Sequence, residues 1–105
     1  YRKNYKKLPG KPDIAITKQK LAIFIDGEFW HGYDWEHYKH HIKSNREYWI
    51  PKIEYNIRHD KKVNEQLKEK GWTVLRFWSK KVIKYPEYYH QLILWYLRND
   101  EKDSN

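Results

Sequence analysis

Two strand-like runs separated by a helical pattern constrain the fold of this chain more than any other feature of its sequence. Residues 21–26 (LAIFID) and 72–78 (WTVLRFW) are rich in β-branched and aromatic side chains. Between them, apolar residues recur at helical spacing, with one slip in phase, at Trp49, Ile53, Ile57, Val63 and Leu67. A strand that follows a crossover helix lies parallel to an earlier strand of the same sheet. The sequence therefore predicts a parallel pair of strands joined by a helix.

Three signals predict the limits of that helix. Ser44, with Glu47 three residues later, has the form of a capping box and predicts that the helix starts there. Pro51 lacks a backbone N–H, so we expect a kink or a short break near Ile50. Gly71 predicts the end, because glycine readily adopts the left-handed conformation that follows a helix.

The remaining elements complete an α/β fold. Residues 1–11 are basic and are typical of an extended arm, and residues 14–17 predict a strand that pairs with residues 21–26 as a hairpin. Pro86 predicts the start of a last helix. The inward face of that helix is predicted to carry Leu92, Ile93, Tyr96 and Leu97. We expect a small mixed β-sheet flanked by helices.

Composition bears on domain organisation and partners. A chain of 105 residues suffices for one small core, so we expect a single domain over residues 1–105, with residues 98–105 as a frayed tail. Aromatic residues make up 18% of the chain and argue against disorder.

The net charge of +8 favours a polyanionic partner such as nucleic acid, and mere solubility is the alternative explanation of that charge. No apolar run is long enough for a membrane span and no signal-peptide pattern opens the chain, so we expect a cytoplasmic protein.

Two aspartates are candidates for metal binding. Asp13 precedes the first hairpin strand and Asp26 closes the second, so antiparallel pairing brings them to the same end of the hairpin. Two carboxylates there could hold a hard divalent cation against a phosphate. The alternative is that both are turn residues beside Pro12 and Gly27, where aspartate is common.

The segment after Asp26 suggests contact with a duplex. Phe29 and Trp30 are adjacent aromatic residues that are either core residues or a wedge that unstacks a base step. His31 titrates near neutral pH and suits proton transfer, although a lone histidine is more often structural.

A second group of histidines follows at His37, His40 and His41. Histidine is a common metal ligand, so these side chains could form a metal site. No matched acid or cysteine lies nearby, which favours an ordinary exposed surface.

Several motifs in register resemble one family. They are LPGKPD at 8–13, IFIDG at 23–27, FWH at 29–31, NREYW at 45–49, KIEYN at 52–56, Asp60, and GWTVLRFW at 71–78. Together they resemble the very short patch repair (Vsr-type) DNA mismatch endonucleases over about residues 1–80. The resemblance implies a variant of the PD-(D/E)xK nuclease fold. It also implies an enzyme that nicks one strand at a T:G mismatch in double-stranded DNA.

The resemblance also implies the catalytic residues. Asp13 would ligate magnesium through its carboxylate and Ile25 through its backbone carbonyl. Asp26 occupies the next position, which is also part of the family's catalytic centre, and His31 would carry the proton. The alternatives are a nicking or restriction endonuclease of the same fold with another target, and a catalytically silent DNA-binding module.

The DNA-contacting residues follow in the same way. Phe29, Trp30 and Trp49 would intercalate beside the mismatch, and Lys11 and Asn56 are assigned to further DNA contacts. The protein would act as a monomer and associate with the nucleoid when bound to DNA.

Three departures from the family affect these expectations. The family's N-terminal helix, with a supporting glutamate, is missing from this chain, and Glu28 stands where the fold's usual catalytic lysine would be. Many members hold a structural zinc, and the corresponding positions here are Glu28, Tyr33, Trp35 and Lys80. We therefore expect no structural zinc, and in its place a Glu28–Lys80 salt bridge beneath the two aromatic rings.

Overall fold

The computed structural model describes the backbone of residues 1–103 and the side chains of residues 1–98. Its four-stranded sheet has the order β1-β2-β3-β4, with the strands at Arg2–Lys3, Ile14–Ile16, Leu21–Asp26 and Thr73–Trp78. β2 is antiparallel to both of its neighbours, β1 and β3, whereas β3 and β4 are parallel. The predicted hairpin and the predicted parallel pair are both confirmed. Part of the basic arm forms the edge strand β1.

The helices lie on both faces of this mixed sheet, as predicted. In chain order they are α1 (Glu28–His31), α2 (Trp35–Tyr38), a 3₁₀ turn (Lys39–His41), α3 (Arg46–Glu69), α4 (Ser79–Lys84) and α5 (Pro86–Asp103). No described helix is both long and apolar enough to cross a membrane. The tail predicted at 98–105 continues α5 as far as Asp103, and residues 104–105 lie outside the described residues.

Strand alternation divides the core between the two faces of the sheet. Ala22 and Phe24 point towards α3, where they pack against Val63 and Leu67. Their neighbours Leu21 and Ile23 point to the other face and pack, with Leu75 and Phe77, against α5. The predicted inward residues of α5 all contact this second cluster: Leu92, Ile93, Tyr96 and Leu97.

The start of α3 differs from the prediction. The N-cap is Asn45, which has a left-handed φ of 54° and makes no side-chain capping bond, so the predicted Ser44–Glu47 capping box is wrong. Asparagine adopts this left-handed conformation more readily than most residues, because its short polar side chain can hydrogen-bond to nearby groups. Of the kink or short break expected near Ile50, the break is wrong, since α3 is a single helix through Pro51. Pro51 lies near the exposed start of the helix, and because it has no N–H, only the Glu47 carbonyl in the first turn loses its helical donor.

The end of α3 follows the prediction. Gly71 has a φ of +84°, and its N–H donates to the Lys68 carbonyl at 3.0 Å. The Trp72 N–H donates to the Leu67 carbonyl at 2.9 Å, which completes a Schellman motif. The Trp72 side chain packs near Leu67, so this turn passes the chain directly into β4.

Candidate active site

Asp13 lies beside the last residues of β3. Ile14 pairs with Ile23 across the hairpin, which brings the preceding Asp13 alongside the C-terminal half of that strand. The Ile25 backbone N–H donates to Oδ2 of Asp13 at 2.7 Å. Among the described residues, no donor engages Oδ1, so one carboxylate oxygen of this half-buried residue remains for a ligand. A carboxylate and a nearby backbone carbonyl are hard oxygen donors of the kind that magnesium accepts, with water in its other positions.

Asp26 lies at the same end of the hairpin as Asp13, as predicted, and its carboxylate is engaged by a residue of the neighbouring strand. Asp26 is 6% exposed and is bound on the α3 side of the sheet by Arg76 of β4. Arg76 thus engages the Asp26 carboxylate, and the convergence of Asp13 and Asp26 on one cation stays a prediction.

His31 is held by a carboxylate from the long helix. Its Nδ1 lies 2.7 Å from Oδ2 of Asp60 and 3.8 Å from Oδ1 of Asp26. A carboxylate accepts a hydrogen bond, so this contact keeps the proton on Nδ1 and leaves Nε2 as the free nitrogen. The side chain of His31 is only partly buried, which leaves that nitrogen accessible.

Arg76 joins the acidic side chains into one network. Its Nη1 donates to both oxygens of Asp26 at 3.1 Å and lies 3.6 Å from Oδ1 of Asp60. Its Nε donates to Oδ1 of Asn64 at 2.7 Å, and its guanidinium lies 4.0 Å from the centre of the Phe24 ring. Burial raises the pKa of Asp26, against the opposing attraction of Arg76 and His31.

The same cluster has the residue types of a metal site. Ligand atoms of Asp26, His31 and Asp60 all lie within 4.8 Å of one another. Arg76 already supplies the positive charge between the two carboxylates, and Nδ1 of His31 is engaged by Asp60. This arrangement is an ion-pair network around His31, and Asp13 with the Ile25 carbonyl could supply oxygen donors of the kind that magnesium accepts.

Sequence reasoning gave no role to Asp60 or Arg76, and one signal could have identified the first of them. The apolar stripe of α3 slips in phase between Ile57 and Val63. Asp60 occupies the vacated position, three residues after Ile57 and on the face that meets the sheet. A carboxylate on an otherwise apolar helix face needs a buried partner, which predicts a network like this one. No comparable signal singles out Arg76 within its strand.

Three predicted intercalating residues form one aromatic cluster beside the network. The ring centres of Phe29, Trp30 and Trp49 are 5.3 to 5.5 Å apart, in edge-to-face contacts. Phe29 and Trp49 pack against the core around Ile53, whereas Trp30 is 48% exposed. The core thus holds two rings, and these support a third that reaches solvent.

The two other predicted DNA contacts occupy different surroundings. The Asn56 side-chain amide donates to the Trp30 carbonyl at 2.9 Å, so Asn56 fixes the position of the aromatic cluster. Lys11 is exposed in the turn before Asp13, with a left-handed φ of 51° and its N–H bonded to the Leu8 carbonyl at 3.2 Å.

Glu28 binds the start of α4 and not the Lys80 ammonium. Its carboxylate accepts hydrogen bonds from the Ser79 hydroxyl at 2.8 Å and from the Lys80 backbone N–H at 2.9 Å. Desolvation opposes ionisation, but these bonds and the Lys80 charge together lower the pKa of Glu28. The predicted Glu28–Lys80 side-chain ion pair is absent from the described residues. The carboxylate instead links α1 to the N-terminus of α4, which favours negative charge.

The predicted aromatic lid over Glu28 is wrong for Trp35. Trp35 is buried against Ile42 and Ile53, and its indole N–H donates to Glu54 at 3.2 Å. Tyr33 packs edge-on against Trp78, with ring centres 5.0 Å apart. A groove of about 300 Å³ remains beside Glu28, lined by Phe29, Tyr33, Tyr38, Lys80 and Lys81.

Comparison with known proteins finds similar DNA-cleaving enzymes. The family model described as DNA mismatch endonuclease Vsr matches residues 1–37, which include Asp13, Asp26 and His31. A Type II nicking enzyme of Haemophilus parainfluenzae, V.HpaIIP, is 55% identical over 87 residues, which are 83% of this chain and 62% of that protein. V.NmeDIP, a Type II nicking enzyme of Neisseria meningitidis serogroup C, is 60% identical over 80% of this chain and 57% of that protein.

A more distant relative carries the name of the family model. The DNA mismatch endonuclease Vsr of Escherichia coli is 36% identical over 73 residues, or 69% of this chain and 46% of that protein. The chain thus spans less than two thirds of the length of the curated relatives that it matches.

Proposed function

Because the chain belongs to the Vsr family, we propose that it is a DNA endonuclease that nicks one strand of a duplex at a T:G mismatch. The family has the PD-(D/E)xK type of fold, which agrees with the mixed sheet and its flanking helices. One observation carries the proposal: the Asp13 carboxylate and the Asp60-bound imidazole of His31 both lie at the C-terminal end of β3.

Asp13 and the Ile25 carbonyl would hold magnesium. When bound, magnesium supplies positive charge to the scissile phosphate and makes a bound water more acidic. The hydrogen bond from the Ile25 N–H fixes one carboxylate oxygen of Asp13 and so aims the other. Preorganisation of this kind reduces the rearrangement needed when substrate binds.

His31 would transfer the proton. Its free Nε2 either accepts a proton from the attacking water or donates one to the departing oxygen. Asp60 orients the ring through Nδ1 and stabilises the positive charge that the imidazole gains during transfer. Asp26 acts as a positioning residue, because it is buried and bound to Arg76.

The aromatic cluster would open the DNA. Trp30 reaches solvent from a base of Phe29 and Trp49, so a flat ring is available to enter a base step. Insertion of large apolar side chains unstacks and kinks a duplex, and a mismatched step costs less to open. The net charge of +8 and the exposed Lys11 favour approach to the phosphates.

The names of the similar proteins favour a second candidate for the target. Two of them are named as Type II nicking enzymes, without mention of a mismatch. A strand-specific nicking enzyme with a different recognition site would use the same Asp13 and His31.

A nicking assay distinguishes these functions. The protein is incubated with duplexes that differ only in one T:G, T:A or C:G pair, each strand carrying its own label. We expect magnesium-dependent cleavage of one strand of the T:G duplex and none with excess chelator. Cleavage of the matched duplexes would assign the second target class. Mismatch binding without cleavage in any duplex would contradict the endonuclease proposal and indicate a DNA-binding module.

A further inference from the structure

Two histidines outside the candidate active site face each other. His37 belongs to α2, and His41 ends the 3₁₀ turn that follows. Tyr38 and Lys39 between them keep right-handed helical angles, with φ of −67° and −59°. Residues four apart on a continuous helical segment share one face, so the backbone brings the two imidazoles together.

The rings meet through the nitrogens that commonly bind metals. Nε2 of His37 lies 3.2 Å from Nε2 of His41, with the ring planes at 89° to each other. Zinc binds imidazole nitrogen at about 2.0 to 2.1 Å, so two such ligands in a tetrahedral complex are about 3.3 Å apart. The observed separation of the nitrogens agrees with that value.

Asp34 lies beside the other ring nitrogen of His37. Its Oδ2 lies 3.4 Å from Nδ1 of His37, on the side of the ring away from His41. A carboxylate at this position favours a proton on Nδ1 and leaves the lone pair of Nε2 free. Histidines that bind metals commonly have such a carboxylate or carbonyl behind them, and it makes them better ligands.

The turn that carries the pair is held in place. The Arg46 guanidinium donates to the carbonyls of Lys39 and Ile42, and the Ile42 side chain is buried. The Lys39 ammonium lies 3.1 Å from Glu36, so its positive charge is partly neutralised. Both histidines are exposed, which leaves room for water to complete a coordination shell.

We propose that His37 and His41 form a binding site for a divalent first-row transition-metal ion, with zinc as the representative. Imidazole suits zinc, copper and nickel, whereas magnesium prefers oxygen donors. In the part of the chain with described side chains, no third histidine, aspartate or glutamate completes the pair into a three-ligand cluster. The site is therefore open, with water in its remaining positions. It is separate from the magnesium site proposed at Asp13.

Isothermal titration with zinc chloride tests the site in the whole chain, with magnesium chloride as the cation control. The wild type should show saturable binding of zinc that magnesium does not compete for. His37→Asn and His41→Asn should each weaken that binding at least about tenfold, because each removes one of two ligands. His40→Asn changes a neighbouring exposed histidine and should leave the affinity unchanged. Far-UV circular dichroism should show the same fold for all variants.

The proposal is overturned if the wild type shows no saturable zinc binding at millimolar zinc. Equal affinities of the wild type and the His37 and His41 variants would also overturn it, because the ion would then bind elsewhere, for example at His31. Loss of binding in His40→Asn to the same extent would contradict the proposed pair of ligands.

Discussion

At the scale of single residues, the proposed proton transfer depends on the contact between His31 and Asp60. Asp60→Asn keeps the size of the side chain but removes the negative charge that stabilises a protonated imidazole. We expect the nicking rate to fall about 100-fold or more, the usual contribution of a positioned acid–base group. Mismatch binding should change little, since the aromatic cluster is untouched. Single-turnover cleavage and a binding titration measure the two quantities.

Glu65→Gln is the matched control for that variant. Glu65 lies on α3, as Asp60 does, but it is exposed and makes no contact with the network. Its substitution should leave the cleavage rate within about twofold. If Asp60→Asn were as active as Glu65→Gln, Asp60 would have no role in positioning His31.

The raised pKa of Asp26 predicts how stability depends on pH. An acid with a higher pKa in the folded chain binds protons more tightly there, so its contribution favours folding at low pH. The free energy of unfolding should therefore fall as the pH rises from about 3.8, the ordinary value, through the raised pKa, and this contribution should level off above it. Asp26→Asn removes this contribution.

Denaturant unfolding of both proteins between pH 4 and 8 measures the effect. The stability of Asp26→Asn relative to the wild type should increase with pH over that window. Titrating groups outside the Asp26 network, such as Glu28 with its lowered pKa, contribute equally to both proteins and cancel in the difference. A difference that stays flat, or that decreases with pH, would contradict the raised pKa.

At the scale of elements, two glycines with similar backbone angles predict different outcomes. Gly71 and Gly32 have φ of +84° and +73°, so alanine is strained at both positions. An added Cβ at Gly71 would be 3.7 Å from the Lys20 side chain, an ordinary contact. An added Cβ at Gly32 would overlap the Ile57 side chain, which packs in the core. The segment that carries α1 would therefore have to move away from α3.

We therefore expect Gly71→Ala to lower the free energy of unfolding by about 1 to 2 kcal/mol, the cost of a left-handed alanine. Gly32→Ala should cost more, because overpacking adds about 1 to 3 kcal/mol. It should also weaken mismatch binding, since α1 carries the exposed Trp30. Chemical unfolding gives the ranking, and equal losses in the two variants would show that the Ile57 contact is readily relieved.

The elements that sequence alone predicted are those with a long and clean pattern. β3, β4 and α5 combine apolar periodicity with glycine or proline at their ends, so local chemistry determines them. α1 and α2 are four residues each and depend on packing against α3, which no local pattern encodes. α4 was missed because its N-terminus is capped by Glu28, a residue about fifty positions away.

The candidate site likewise has a part that the sequence predicts and a part that only the assembled fold provides. Asp13 and His31 were identified through motifs, and the structure brings both to the end of β3. The pairing of Asp26 with Arg76 and of His31 with Asp60 links residues that are 50 and 29 positions apart. Such contacts arise from the register of β3 against β4 and from the docking of α3, and both require the assembled fold.

At the scale of the whole molecule, the aromatic cluster predicts selective binding to mismatched DNA. Trp30→Ala should weaken binding to a T:G duplex more than to the matched duplex, because the wedge gains most where a step is easily opened. Loss of one stacked aromatic ring should cost about 1 to 3 kcal/mol on the mismatched duplex. Fluorescence anisotropy with both duplexes, at one fixed salt concentration, measures the difference.

Trp95→Ala provides the control for this experiment. Trp95 is also exposed, at 57%, but it belongs to α5, on the opposite side of the sheet from the aromatic cluster. Its loss should not alter the preference for the mismatch. An equal loss of affinity for both duplexes in Trp30→Ala would show that Trp30 contributes to general binding or to the core and not to recognition of the mismatch.

The cleavage rate of Asp13→Asn tests the central claim most directly. The amide can still accept the hydrogen bond from the Ile25 N–H, so the local fold is retained while the charge that would hold magnesium is lost. We predict that single-strand nicking of a T:G duplex falls about 1000-fold or more, equivalent to about 4 kcal/mol of barrier, with mismatch affinity nearly unchanged. Cleavage by Asp13→Asn at a near wild-type rate would contradict the proposed active site.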